Sequence, residues 1–443
     1  MIPAVLIYSH TITPRLKYIA DFFSFYYGLP FHLTSSEDGY RSSECKCKIN
    51  YGYQRLEPGE IWIHSHVLLF ETQERPVKID CFVHNGFKAF FKAEGEAGFD
   101  ILAAVFFLMV RYEEYLPHQK DAYGRFAYQN SVAYKEGFLS LPLVNIWLED
   151  FRNLLSERDP SFRMNKQQFV FLPTYDIDMA WSYRNKGFLR NLGSLLLLFF
   201  TGRWNTLGRR ISVLRGKSKD PFDAYEWMDD LHKIYDLHPL YFFLVAQRTG
   251  KYDRNISINN PEFIELIREL DQKYALALHP SWATGEFPSL FKEEKSWLES
   301  IIEKQVDASR QHYINFELPS TYRHLIEAGI KHDYSMGYGS INGFRASVAT
   351  PFYWYDLKAE KQTTLMIHPF CFMDANSFYE QQQDPAKTIQ ELKLYIETVR
   401  SVHGTMITIW HNSFLGSDPA FYGWKEIYKE FIGEVAASSA PRN

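Results

Sequence analysis

The chain has 443 residues, 46% of them hydrophobic and 17% aromatic, which excludes a disordered polypeptide and allows a large core in two domains. A formal net charge of -5 and a pI near 6.3 exclude a protein that binds nucleic acid over its whole surface, so any basic surface is local. The four cysteines, Cys45, Cys47, Cys81 and Cys371, lack the spacing of a zinc knuckle and read as reduced thiols.

In chain order, MIPAVLIYSH reads as a first strand and not as an export signal; with no long apolar span elsewhere, the expected compartment is the cytoplasm. Residues 1–165 mix short apolar runs at 4–8, 61–70 and 79–84 with a helical stretch at 98–115, and are expected to form a smaller α+β domain of unknown role. Within it, FDILAAVFFLMVRYEEY is apolar almost all round and then turns charged at Arg111, Glu113 and Glu114, as a buried helix reaching the surface should. The acidic pair is assigned no chemistry.

Past a polar stretch near 156–167, apolar strands alternate with longer helical stretches, so residues 166–443 are expected to fold as α/β, with a parallel sheet or barrel. The expected strands are 168–178, 240–246, 274–280, 309–314, 332–338, 364–370 and 405–412. Each carries a polar residue near its end: Asp176 and Asp178, Gln247, His279, Arg310 and His312, Asp333, His368, and His411. In a barrel these ends gather at one face.

Between the first two of these strands, an insertion at 182–219 has nine basic residues and no acid: Arg184, Lys186, Arg190, Arg203, Arg209, Arg210, Arg215, Lys217 and Lys219. Its middle, GSLLLLFFTGRW, is too short to cross a membrane. It fits either an interfacial segment that holds the protein against an anionic inner membrane or an ordinary helix with a solvated basic face.

The chemistry starts at PTYDID, where Asp176 and Asp178 stand two apart and share one side of an extended strand. Two carboxylates in one volume repel unless a cation or proton relieves them; a divalent metal does so and leaves Asp176 free as a base. Capping of the next helix is the alternative. His279, at a strand end before a proline, is either a zinc-binding imidazole or a capping histidine. Arg310 can clamp a carboxylate with paired hydrogen bonds or form a structural salt bridge. His411, in IWHN, is a proton donor to a leaving group or a core histidine. A metal-independent acyl hydrolase lacks its nucleophile here: there is no GxSxG, and Cys371 has no basic neighbour in sequence.

From about residue 168 to the end, these motifs resemble, in order, the polysaccharide deacetylases of the NodB-homology type, within them a bacterial branch with an extra N-terminal domain. The resemblance implies a distorted (β/α) barrel in which Asp176 is the base and Asp178 a metal ligand. The family's second motif carries two histidines four apart; HPSWAT matches the first, which makes His279 a ligand, and has Ala283 in place of the second. His312, which has no family counterpart, could supply the missing nitrogen. SRQH and the helix after it are similar to the third motif, with Arg310 holding the base, and IWHN to the last, with His411 the acid. Arg345 in GFRA and His368 in HPFCFMD have the look of this branch. With Trp282, Tyr338 and Trp410 they are the candidate sugar contacts, although such aromatic residues also serve as core. The activity that the resemblance implies is zinc-dependent removal of an acetyl group from an N-acetylated sugar or glycan, in the setting of surface-glycan synthesis. The competing reading is a carbohydrate-binding or scaffold protein that kept the cleft and lost the chemistry.

Overall fold

Strand β1 (Val5–Tyr8) runs into the helix Pro14–Tyr27, and the local sequence fixes both ends of that helix. The Thr13 side chain accepts from the Leu16 N–H, Pro14 opens the first turn, and Gly28 closes it at φ 65°. The structure, a computed structural model, describes residues 5–160, 168–248 and 250–439. The expected domain boundary at 165/166 lies outside the described residues.

Strands β2 (Phe31–Thr34), β3 (Cys47–Gly52) and β4 (Ile61–His64) join β1 in a four-stranded sheet of order β2-β1-β3-β4, every pair parallel. Parallel pairing, where a segregated α+β arrangement was expected, follows from crossovers long enough to bring each strand back in the same direction. Strands β5 (Phe82–His84) and β6 (Phe87–Ala89) form a separate hairpin. Its turn, Asn85-Gly86, has both φ angles positive, at 48° and 85°, which suits the twist of a two-residue hairpin.

The expected helix at 98–115 forms over Ile101–Met109, and all nine of its residues are buried. Asp100 caps it by accepting from the Ala103 N–H at 2.9 Å, and the Tyr51 hydroxyl donates to the same carboxylate at 2.6 Å. The helix ends early because Arg111 adopts φ 57°. The charged residues after it do not reach the surface as the sequence suggested. Glu114 is buried, and accepts two hydrogen bonds from Arg345, at 2.8 and 2.6 Å, and one from Arg111 Nε at 2.7 Å. Two guanidiniums compensate one carboxylate, which is what permits burial.

The second sheet has nine strands: β7 (Val170–Ile177), β8 (Leu240–Leu244), β9 (Ala275–His279), β10 (Ala308–Ser309), β11 (His332–Asp333), β12 (Phe352–Asp356), β13 (Lys361–Ile367), β14 (Phe372–Met373) and β15 (Thr405–His411). Its order is β12-β13-β11-β10-β9-β8-β7-β15-β14, and only the β12–β13 pair is antiparallel. The order has two ends, so among the described residues the strand pairing draws an open, largely parallel sheet and does not close a barrel. The helix Pro14–Tyr27 lies over the β12 end: Tyr18 donates to the Tyr353 carbonyl at 2.8 Å, and buried Arg15 pairs with Glu360.

Two expected strands are shorter than read. Residues 309–314 pair only at their start; then Arg310 and Gln311 lead into a single turn, His312–Ile314, in which Tyr313 and Ile314 take φ 57° and 54°. In 332–338 only His332 and Asp333 pair. No disulfide joins the cysteines among the described residues.

Buried titratable groups make the fold sensitive to acid. On the helix Tyr225–Tyr235, His232 Nε2 meets the Tyr175 hydroxyl of β7 at 2.7 Å. Burial, opposed by Asp229, lowers His232 to about 4. The unfolded chain therefore binds this proton more tightly than the folded one. Stability contributed by neutral His232 is full above about pH 6.5 and falls as pH drops towards 4, at about 1.4 kcal/mol per pH unit. Urea unfolding of His232→Asn should lose that component of the slope between pH 6.5 and 4.5; an unchanged slope would refute it.

Candidate metal-centred active site

The C-terminal ends of β7, β9, β10 and β15 converge on a cavity of about 560 Å³. Convergence at this edge is dictated by parallel strands, whose carboxyl ends all face the same way. The cavity takes in Asp176, Asp178, His279, His312 and His411, and Arg310 lies just behind them.

Asp176 is buried, and its Oδ1 accepts from Arg310 Nη1 at 2.7 Å. Arg310 is itself fully buried; it donates Nε to the Tyr334 carbonyl at 3.0 Å and rests on the Phe242 ring at 4.1 Å. Asp176 Oδ2 is thus left to face the cavity, 3.8 Å from His279 Nε2.

Asp178 stands with about a third of its side chain open to the cavity, 32%. His279 Nε2 lies 3.2 Å from its Oδ1, while His312 Nε2 and His411 Nε2 lie 3.5 and 3.6 Å from its Oδ2. Both His279 and His312 have their other nitrogen engaged. His279 Nδ1 donates to the Arg310 carbonyl at 2.6 Å, and His312 Nδ1 to Asp253 Oδ1 at 3.0 Å. With Nδ1 so engaged, both rings turn Nε2 towards the cavity, an arrangement typical of metal ligands.

The facing atoms of Asp178, His279 and His312 lie within 4.8 Å of one another. Asp178 Oδ1 is buried without a hydrogen bond of acceptable geometry. A carboxylate oxygen without a hydrogen bond, set beside two imidazole nitrogens, suits a divalent cation, and one carboxylate with two imidazoles is a zinc-type set with room for a fourth ligand. The donors present therefore fit the metal that the sequence implies. Ala283 carries no ligand atom, and the second imidazole of this cluster is His312.

The same carboxylates set the electrostatics. Burial alone would raise Asp178, but His312 and then His411 outweigh it and hold the carboxyl well below its ordinary range. Burial would lower His411, but Asp374 and Asp178 push it up to about 10, so it carries a proton at neutral pH. Asp374 accepts from both His411 Nδ1, at 2.6 Å, and the His411 backbone N–H, at 2.7 Å.

The remaining sequence candidates fall elsewhere. Trp410 is wholly buried against Tyr428 and Phe372, because neighbours in a strand point to opposite sides and His411 takes the cavity side. Tyr338 is buried and accepts from Arg111 at 3.3 Å, and Arg345 is committed to Glu114. His368 meets His332 Nδ1 at 3.0 Å and stacks on Tyr334, outside the cavity lining; burial, with His332 beside it, lowers it to about 3. Gln247 is exposed, and Asp333 is buried on Ser335. Trp282 packs against Tyr252 of the cavity wall, ring centroids 4.3 Å apart and tilted by 30°, and faces a neighbouring depression.

Several residues in the cavity wall or behind it had no sequence signal. Asp253 lies in a loop, where no periodicity marks it. Asp374 follows the two-residue strand β14, in the same segment as His368, and no local pattern marks it. Tyr123 and Arg125 come from the N-terminal third of the chain, and Arg125 Nη1 donates to the Tyr313 carbonyl. A Cβ at Gly339 would stand 2.8 Å from the Tyr313 carbonyl oxygen and 2.0 Å from that guanidinium, so glycine lets the two meet.

A family of unknown function, DUF7033, matches residues 5–160. No curated protein matches the chain in sequence. A candidate polysaccharide deacetylase from Mycobacterium smegmatis is similar in structure at 15% identity, covering 62% of this chain and 86% of that one, with a TM-score of 0.40. The polysaccharide deacetylase Bc1974 from Bacillus cereus aligns at 12% identity over 60% and 87%, with a TM-score of 0.29. A GH57 branching enzyme from Thermococcus kodakaraensis aligns at 10% identity over 62% and 69%, with a TM-score of 0.35. Similarity at this level leaves the chemistry to be argued from the site itself.

Proposed function

We propose that the chain is a hydrolase that removes the acetyl group from an N-acetylated sugar or glycan, with a separate N-terminal domain ahead of the sheet that carries the site. The observation that carries this reading is the division of labour around the cavity. One carboxylate, Asp176, is held by an arginine; a second, Asp178, faces two oriented imidazoles; and a protonated histidine, His411, stands across from them. The reduced cysteines favour the cytoplasm.

A divalent cation held by Asp178, His279 and His312, zinc on this donor set, would supply the charge that polarises water and the acetyl carbonyl. Asp176 Oδ2 takes a proton from the attacking water, and Arg310 keeps Oδ1 in place. As the C–N bond breaks, His411 gives its Nε2 proton to the departing amine, and Asp374 stabilises the imidazolium until then. The products are acetate and the free amino sugar. Asp253 acts by fixing the His312 tautomer.

The expected result is close to one zinc per chain by elemental analysis after loading and desalting, lost in the Asp178→Asn/His279→Ala variant. Asp253→Asn should weaken zinc binding by about 10- to 100-fold. Absence of specific zinc in the unmodified protein would defeat the reading.

A further inference from the structure

The insertion between β7 and the helix Tyr225–Tyr235 is a pair of helices, Phe188–Phe200 and Trp204–Leu214, packed on each other. On the first, Phe188, Leu189, Leu192, Leu196, Phe199 and Phe200 are all exposed, between 41% and 82%. At about 100° per residue these six fall within an arc of about 120°, one continuous face. Leu198, on the other side, is buried. Trp204 opens the second helix at the same tip, 58% exposed, with its ring 5.1 Å from Phe199. An apolar face of this extent is costly in water, and no helix among the described residues is long and apolar enough to cross a membrane.

Charge says what covers it. The segment 182–219 holds nine basic residues and no acid in a chain of net charge -5. Arg190 and Arg210 crowd Lys186, and burial followed by those two charges lowers it to about 8. Arg210 is buried with its Nε unpartnered. Arg184 and Lys219 are paired with Glu262 and Glu226, and Asp220 opposes Lys186 and Arg210; the other cations of the segment, Arg190, Arg203 and Arg209 among them, are the ones left to meet an anion.

The neck of the insertion is fastened to the site. Asn412, next to His411, donates its amide to the carbonyls of Met179 and Phe222, at 3.1 and 2.9 Å, one on each side of the insertion. The Ser417 N–H also donates to the Pro221 carbonyl at 2.8 Å.

We propose that this helical hairpin is a peripheral membrane anchor that seats its apolar face and aromatic tip in the interface of a bilayer rich in anionic phospholipid. Aromatic and leucine side chains enter the acyl boundary while the arginines meet headgroup phosphates. Anchoring is independent of the reaction assigned to the cavity; its consequence, that the substrate glycan is attached to or lies near a membrane, rests on that assignment.

The test is co-sedimentation of the full chain with vesicles of phosphatidylcholine alone or mixed with phosphatidylglycerol. Binding is expected to the mixed vesicles only, weakening as salt rises. Leu196→Glu/Phe200→Glu should reduce it by about tenfold or more, and Arg203→Gln/Arg209→Gln should flatten its salt dependence. Both variants should keep the helical circular dichroism and zinc content of the unmodified protein. Failure to bind mixed vesicles at low salt overturns the proposal. So does light scattering that finds the unmodified protein dimeric and Leu196→Glu/Phe200→Glu monomeric, since the face would then belong to a second copy.

Discussion

Asp176→Asn is expected to lower the rate of acetate release from an N-acetylated oligosaccharide by about 10²-fold or more, while bound zinc stays at the unmodified level. The amide keeps the size of the carboxylate but cannot take a proton from water. Asp176 lies outside the set of facing donor atoms formed by Asp178, His279 and His312, which is why zinc should survive. Arg310 would lose its anionic partner, so thermal unfolding must accompany the rate measurement to separate lost chemistry from a loosened site. Activity that survives the substitution in a folded, zinc-loaded protein would leave carbohydrate binding without catalysis as the better reading.

The largest effect on stability is expected from Glu114→Ala. It leaves the buried guanidiniums of Arg345 and Arg111 without their shared carboxylate, a loss of about 3–5 kcal/mol. Burial would raise the Glu114 carboxyl, but Arg345 and Arg111 hold it at about 2, below its unfolded value. The stabilisation is therefore complete above about pH 4.5 and is lost as pH falls towards 2. Urea midpoints of both proteins should differ most at neutral pH and converge in acid. A difference under about 1 kcal/mol at pH 7 would mean that the guanidiniums find other partners or water.

The strand ends that meet at the cavity were legible because a buried parallel strand reads as an apolar run, and its polar terminal residue breaks that run. This is how Asp176, Asp178, His279 and His411 could be named from sequence, with Arg310 and His312 beside them. The partners that orient them were not legible. Asp253 and Asp374 meet His312 and His411 across 59 and 37 residues, and nothing in either local pattern distinguishes them from solvated acids. Arg345 was read as a sugar contact because its partner, Glu114, lies 231 residues away. The turn at His312–Ile314 escaped for a different reason: its left-handed residues are an unusual choice for tyrosine and isoleucine, and no glycine or asparagine announces them. The distribution of basic and apolar residues in 182–219 was plain, but only the structure distinguishes an exposed apolar face from a buried one.

The helix Pro14–Tyr27 bears on how this molecule avoids sticking to itself. An open sheet ends in strands whose free amides and carbonyls are templates for another chain. At one end β14 is only two residues long and offers little to copy. At the other, β12 is five residues long, and it is there that Tyr18 takes the Tyr353 carbonyl and Arg15 grips Glu360. The N-terminal third of the chain thus covers part of the rim that the sheet carrying the site would otherwise leave open to another strand.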